Sequence, residues 1–499
     1  MESREVSPQN LSAILIFATI ALLLGYLYVN ALSISYRAAI LVHGGAVFVL
    51  GLGLFIRDLR AFLLFVVVFC IPLQFGYHVI HEPLADMESQ PFSAGIAVDS
   101  VDVILILLYM HWIATAAYNR QRARFTLGGT LGAMLCIWIV YLFFQSSLAA
   151  TRFRYSFFEI CVLLKGFLLF LYLVNRLSDK RDLKIVVYAL FAGAVAHGMY
   201  IWLQYATKLN YTLHGELVTY MGPEGFRSRG FFGSPDAAAT LISLVFPVGL
   251  AYYLVIRDKR ARGTALMCML LVLVAIAFTQ VRAAGLGIFV SSLVLLAITY
   301  GRGWIPASRI IKTVGALLLI LMLASPFIVE RFQFGTWGED RVPLMETAWN
   351  MIKNNWLLGV GANNYPLEVQ RYVPVNARHA WLYTVHNEYF LRLAETGIIG
   401  ASLYFGFSLL MMVKLWRLCR SPDPWIYLVA AGFFAALVGS IPHRMLSFYH
   451  YVNVFMQICV MMALTQVLEN LEKRRLMQGG SENPRLGYFG VTKEAVESK

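Results

Sequence analysis

His386 is the first residue of a motif that continues with an asparagine and two glycines. Asn387 follows His386 directly, and Gly397 and Gly400 follow at offsets of 11 and 14 residues. On one continuous helix these offsets return to nearly the same face, with His386 roughly 16 Å above Gly397 at the end of the helix. Histidine is well suited to take a proton from a hydroxyl group near neutral pH. We interpret His386 as a candidate general base, with a hydrogen-bonded histidine of no catalytic role as the alternative, and we expect the glycines to admit a neighbouring helix closely.

Arginine supplies the second group of candidates. Its guanidinium is a planar group of donors that stays protonated and matches phosphate oxygens. Several arginines at one surface therefore predict a lipid-linked phosphate substrate, and we favour a diphosphate that acts as the leaving group. The candidates for holding it are Arg227, Arg229, Arg282 and Arg341. Any one of them could instead cap a helix or pair with an acid such as Glu224, Glu339 or Asp340.

Acidic pairs give little indication of a metal. The outer loops contain no Asp-x-Asp pair, and we interpret Glu339 with Asp340, and Asp99 with Asp102, as helix caps or solvated loop residues. The sequence therefore predicts a metal-independent reaction that uses no cofactor.

The elements that position these residues are membrane helices. Of the 499 residues, 59% are hydrophobic and 14% charged, which excludes a soluble protein of this size. Apolar runs of roughly 20 residues predict an all-α polytopic membrane protein with about 12 to 14 transmembrane helices and one large helical loop, similar to the GT-C architecture. The predicted spans are 11–32, 38–56, 61–80, 101–118, 127–148, 158–176, 185–206, 237–256, 263–280, 283–300, 310–328, 397–416, 424–442 and 448–468.

Charge distribution predicts the orientation. The net charge is +13, but the basic residues form short clusters on alternate loops, which indicates cytoplasmic loops and no nucleic-acid partner. Both termini are then cytoplasmic, and the candidate residues face outward. We divide the chain into N-terminal helices at 1–206, central helices with arginine-bearing outer loops at 207–328, a large periplasmic loop at 329–387, C-terminal helices at 388–468 and a cytoplasmic tail at 469–499.

Four segments together resemble a known family. The stretch H-N-E-Y-F-L-R-L-A-E-T-G-I-I-G at 386–400 matches the His-[Asn/Ser/Gln]-nine residues-Gly-x-x-Gly signature of the superfamily of O-antigen ligases, O-antigen polymerases and protein O-oligosaccharyltransferases. Supporting segments are R-S-R-G-F-F-G-S-P-D at 227–236, T-Q-V-R at 279–282 and the stretch from Arg341 to Tyr365. The resemblance covers about residues 225–440, and Asp236 stands where the family usually has Asn.

The resemblance implies an activity. Members transfer a glycan from an undecaprenyl diphosphate carrier to an acceptor, so it implies an inner-membrane glycosyltransferase whose site faces the periplasm, in lipopolysaccharide or exopolysaccharide synthesis. His386 would be the base and the four arginines would hold the diphosphate, with Asn387, Gly397 and Gly400 in support. The implied partners are the lipid-linked donor, a glycan or lipid A core acceptor and membrane lipids. One alternative is a protein O-oligosaccharyltransferase, whose acceptor is a protein. Another is a transporter or flippase of lipid-linked sugars, which would place its binding groups near the membrane midplane.

Overall fold

The protein is an all-α polytopic membrane protein. The structure, a computed structural model, describes residues 58–73, 76–84, 91–120, 125–208, 210–211, 217–218, 221–222, 225–232, 234–315, 341–374 and 383–478. Within these ranges, ten helices are long and apolar enough to cross a membrane. The predicted spans at 11–32 and 38–56, and most of 310–328, lie outside the described residues.

The helices follow the predicted spans closely in most places. In chain order they are α1 Leu59–Phe69, α2 Ser100–Tyr118, α3 Gly129–Ala149, α4 Phe153–Arg176, α5 Lys180–Thr207, α6 Pro235–Val255, α7 Lys259–Thr279, α8 Arg282–Gly301, α9 Arg341–Asn354, α10 Tyr365–Tyr372, α11 Glu388–Leu418, α12 Pro424–Leu446 and α13 Val452–Met477. Helices α6 and α13 are the most deeply buried of the ten, whereas α7 is largely exposed at the edge of the bundle.

One predicted span is wrong. In place of a helix over 61–80, α1 covers only 11 residues and a strand, β1 (Gly76–His81), follows. Pro72 stands between them, and a proline cannot donate the backbone hydrogen bond that would continue a helix. Strand β1 pairs antiparallel with β2 (Gly95–Asp99). The remaining strands form two short antiparallel pairs, Asn210–Tyr211 with Leu217–Val218 and Met221–Gly222 with Gly225–Phe226.

Asp99 and Asp102 form the helix cap that the sequence suggests. The Asp99 carboxylate accepts hydrogen bonds from the backbone of Val101 and Asp102, and the Asp102 carboxylate accepts one from the Asp99 backbone, a reciprocal capping box at the start of α2. Lys165 of α4 forms an ion pair with Asp102. This lysine within an apolar span is therefore explained by a structural pairing that ties α4 to the start of α2.

Candidate functional site

Gly397 reverses the direction of α11. Its φ of 62° and ψ of −174° interrupt the helix and divide it into a first arm, 388–396, and a second arm, 398–418. Tyr389 and Phe405 would stand about 24 Å apart along a straight helix, yet their ring centroids are 4.9 Å apart. The Arg392 guanidinium likewise lies 4.6 Å from the centre of the Tyr404 ring. The first arm therefore folds back beside the second.

This geometry corrects the prediction of one continuous helix. His386 precedes the helix and does not stand above Gly397 on a common face. A helix packs closely at Gly400 only, where a Cβ would lie 2.7 Å from Cε1 of Tyr141 in α3. At Gly397 the neighbour is a loop, since a Cβ there would lie 2.2 Å from the carbonyl oxygen of Leu357. The Gly-x-x-Gly spacing thus marks a chain reversal followed by a helix contact.

The loop after α9 covers this reversal. The Ile398 amide donates to the carbonyl of Trp356 (2.9 Å), and the Gly361 amide donates to the carbonyl of Glu395 (2.9 Å). Asn363 and Asn364, both fully buried, anchor the loop to the segments below it: the Asn363 amide donates to the carbonyl of Ser93 (2.9 Å) and the Asn364 amide to the Ser156 hydroxyl (2.8 Å). This loop is therefore a fixed part of the scaffold around the first arm.

His386 lies two residues before the first arm, in the non-helical segment 383–387. Asn387 is the N-cap of α11 and its side chain accepts hydrogen bonds from the amides of Tyr389 (3.0 Å) and Phe390 (3.2 Å), which fixes the backbone next to the histidine. The His386 ring is half-buried and its centroid lies 5.3 Å from that of Phe448. The imidazole also forms a hydrogen bond with the backbone of Thr384. A neutral imidazole that donates one N–H keeps its other nitrogen as a proton acceptor.

The charges around His386 include two of the candidate arginines. Burial lowers the pKa of His386, and the guanidinium groups of Arg341 and Arg227 lower the pKa further, while the carboxylate of Asp236 opposes them. Because the pKa lies below its ordinary value, the ring is neutral near pH 7. Arg341 is the first residue of α9 and Asp236 lies in the first turn of α6. Three elements distant in sequence thus bring charged groups toward one imidazole.

Arg227 joins this group to the turn between α7 and α8. Its Nε donates to the carbonyl of Thr279 (3.1 Å), three residues before Arg282, and the Ser228 amide donates to the carbonyl of Phe278 (3.1 Å). Arg282 is the first residue of α8. Arg229 is nine-tenths buried, two residues beyond Arg227.

A buried side chain of α5 holds the same loop in place. The Gln204 amide group donates to the carbonyl of Gly230 (2.9 Å) and its oxygen accepts from the Gly230 amide (2.8 Å). His197 lies directly below this loop, since a Cβ at Gly230 would stand 2.2 Å from its ring. His197 thus supports the arginine loop from within the bundle.

The first arm of α11 also carries part of a buried ionic network, whose residues were not among the predicted site residues. Arg392 forms an ion pair with Glu388 (2.9 Å), and His450 lies 2.7 Å from Glu159 and 3.8 Å from Glu395, with every one of these side chains at most 5% exposed. The spacing of Glu388 and Arg392, four residues apart in a helix, was a signal for their pairing. Nothing in the sequence pointed to the contact between His450 and Glu159.

A cavity adjoins this network. It measures about 210 Å³. Its polar wall includes Ser93, Glu159, Arg392, His450 and Asn453, and its other wall is mainly aromatic and aliphatic. Phe448 connects it with the histidine, because its ring lies 4.9 Å from that of Phe92, a lining residue, and 5.3 Å from that of His386. In the part of the chain that the structure describes, no three His, Cys, Asp or Glu side chains are grouped so as to hold a metal ion.

Comparison with known proteins supports the family resemblance. Residues 266–405, over a quarter of the chain, match the family described as O-antigen ligase. The matched segment contains Arg282, Arg341, His386 and both signature glycines, and begins after the loop that carries Arg227 and Arg229. No curated protein matches the chain. The chain is therefore a multi-pass membrane protein that contains, at residues 266–405, a segment matching the O-antigen ligase family.

Proposed function

We propose that the protein transfers a glycan from an undecaprenyl diphosphate carrier to a glycan acceptor at the periplasmic face of a bacterial inner membrane. The reaction would serve lipopolysaccharide or exopolysaccharide synthesis, as an O-antigen ligase or a polysaccharide polymerase. The family match supports a lipid-linked glycan and an acceptor as partners. The alternation of basic clusters along the sequence supports the orientation.

The surroundings of His386 are the observation that carries the proposal. The ring is half-buried, bonded to the backbone of Thr384 and within electrostatic reach of Arg227, Arg341 and Asp236. Such a histidine is neutral at physiological pH, so it can accept a proton, and the nearby arginines supply positive charge for an anionic leaving group.

In the proposed reaction the acceptor hydroxyl attacks the anomeric carbon of the donor glycan. His386 takes the hydroxyl proton, a bond forms between the acceptor oxygen and the anomeric carbon, and the bond from that carbon to the diphosphate oxygen breaks. The Asp236 carboxylate would stabilise the imidazolium that results. This role would explain an acidic residue at a position where the family usually has Asn. The proton is released to water when the glycan product leaves.

The arginines would act on the other side of the anomeric carbon. Negative charge builds on the diphosphate as its bond breaks, and fixed guanidinium groups bind that charge more tightly in the transition state than in the ground state. We assign this role to Arg227, Arg229, Arg282 and Arg341, without a metal ion or other cofactor. The cavity beside the ionic network offers polar and aromatic walls for part of a glycan.

Purified protein tests the reaction directly. Reconstituted with a lipid-linked oligosaccharide and an acceptor, it should form glycosylated acceptor and free undecaprenyl diphosphate in equal amounts, and omission of the acceptor should abolish transfer. Movement of the intact donor across a vesicle membrane without any product would identify a transporter and contradict the proposal.

The acceptor class is tested in cells. Deletion of the gene should leave long unattached polymer if the protein is a ligase, and single repeat units if it is a polymerase. Loss of glycoprotein with normal surface polysaccharide would instead identify a protein O-oligosaccharyltransferase and overturn the proposed glycan acceptor.

A further inference from the structure

Helix α9 carries apolar side chains on a buried face and on an exposed face adjacent to it. Ala348, Met351 and Ile352 are buried on one face, in a core that also contains Leu391 and Ala394 of the first arm of α11. Another face exposes Val342 (55%), Met345 (42%) and Trp349 (50%). These three residues are spaced by three and four positions, so they form a single stripe along the helix. A stripe of this kind is unusual on a surface that faces water.

Contacts around α9 place the stripe beside the second arm of α11. The Trp349 ring centroid lies 6.3 Å from that of Phe390 in the first arm. Just after α9, the carbonyl of Trp356 accepts from the amide of Ile398, where the second arm begins. The second arm contains 21 residues, from 398 to 418, and is about 31 Å long, which matches the thickness of a bilayer core. Ile398 is 44% exposed, as expected for a lipid-facing position.

Trp349, at one end of the stripe, lies at a level that the membrane-crossing part of α11 also occupies. Because the first arm folds back from Gly397, Tyr389 reaches the level of Phe405, seven residues beyond Ile398 along the second arm. Trp349 packs near Phe390, the neighbour of Tyr389, and so lies beside the membrane-crossing arm.

We propose that lipid chains of the leaflet at the His386 end of the bundle cover the stripe of Val342, Met345 and Trp349, so that α9 is embedded in the membrane surface. Trp356, which is 61% exposed, follows α9 in the chain and is hydrogen-bonded through its carbonyl to Ile398 at the start of the second arm. Tryptophan is enriched at membrane interfaces, and Lys353, 5.9 Å from the Trp349 ring, can extend its charge to the headgroups. The inference does not require the proposed reaction. It does imply that a lipid-linked substrate could reach Arg341, the first residue of α9, from the bilayer.

Tryptophan fluorescence tests the position of the stripe. The full-length protein and its Trp349→Phe variant are reconstituted in nanodiscs containing phospholipids brominated on the acyl chains, and the difference between their spectra gives the emission of Trp349. We expect brominated lipids to remove most of that emission and aqueous iodide to leave it unchanged. Trp138→Phe is the matched control, because Trp138 is fully buried in the protein and its emission should survive both quenchers. Quenching of Trp349 by iodide and not by brominated lipid would overturn the proposal.

A second variant avoids removal of the tryptophan. A photoreactive benzoyl-phenylalanine at Val342, an exposed position, should form a covalent adduct with phospholipid that mass spectrometry detects. The same probe at Leu409, 62% exposed on the second arm, provides the positive control. An adduct at position 409 together with none at position 342 would contradict lipid contact with α9.

Discussion

Replacement of Gly397 by alanine tests whether the reversal of α11 holds the site together. The backbone of Gly397 lies in a region of φ and ψ that is nearly exclusive to glycine, and a side chain there costs about 1 to 3 kcal/mol. The added Cβ would also stand 2.2 Å from the carbonyl oxygen of Leu357. An ordinary contact is longer by about 1 Å, so the covering loop must shift, at an overpacking cost of about 1 to 3 kcal/mol. We expect a total loss of about 2 to 6 kcal/mol in the free energy of unfolding.

The assay is unfolding of the purified protein in mixed micelles of increasing SDS content, followed by circular dichroism. Gly285→Ala is the matched control, because an added Cβ at Gly285 meets no atom within 4 Å and its helical backbone favours alanine by up to about 1 kcal/mol. Glycan transfer should fall in the Gly397→Ala protein even where it remains folded, since His386 directly precedes the N-cap of the first arm and moves with it. Equal stability and equal activity of the two variants would refute the role assigned to the reversal.

Three further predictions concern the charges and the cofactor requirement. The transfer rate should fall as the pH drops through the pKa of His386, because the protonated ring cannot accept a proton. Asp236→Asn removes the carboxylate that raises this pKa, so the acidic limb of the pH–rate profile should move to lower pH. An acidic limb at the same pH in the variant would contradict the electrostatic contact between Asp236 and His386. Arg392→Met should cost about 3 to 5 kcal/mol of unfolding free energy because it leaves Glu388 buried without its partner. Arg181→Met is the control, because the ion pair of Arg181 with Asp58 is exposed, and it should cost at most about 1 kcal/mol. Similar losses in the two variants would contradict this account. EDTA should leave the initial rate of transfer unchanged, and restoration of a lost rate by Mg²⁺ would contradict a metal-independent reaction.

Much of the fold could be predicted from hydropathy. Eight of the ten described candidate spans begin and end within about five residues of the predicted limits, because an apolar run of membrane length has few alternatives to a helix. Of the other two, α11 begins nine residues earlier than predicted and α13 ends nine residues later. The prediction failed at 61–80, where Pro72 ends a short helix that hydropathy alone would continue. The span predicted at 397–416 matches the second arm of α11, whereas the continuous helix expected from His386 to Gly400 is interrupted at Gly397.

The candidate site was only partly predictable. Residue types and motif spacing selected His386 and the arginines, and the structure brings Arg227 and Arg341 within electrostatic reach of the histidine. Spacing along the chain could not reveal that the Gly-x-x-Gly segment turns back, because a positive φ at glycine has no signature in sequence periodicity. The pairing of His450 with Glu159 joins residues 291 positions apart and depends on the tertiary fold.

The rate of transfer by the His386→Ala variant tests the central claim most directly. The variant and a His81→Ala control, which removes an exposed histidine of β1, are purified, checked for the same unfolding behaviour and given identical donor and acceptor. If His386 is the general base, its variant should lose about 10²- to 10⁴-fold in initial rate while the control stays near the wild-type rate. A folded His386→Ala protein that transfers glycan as fast as the control would contradict the assignment.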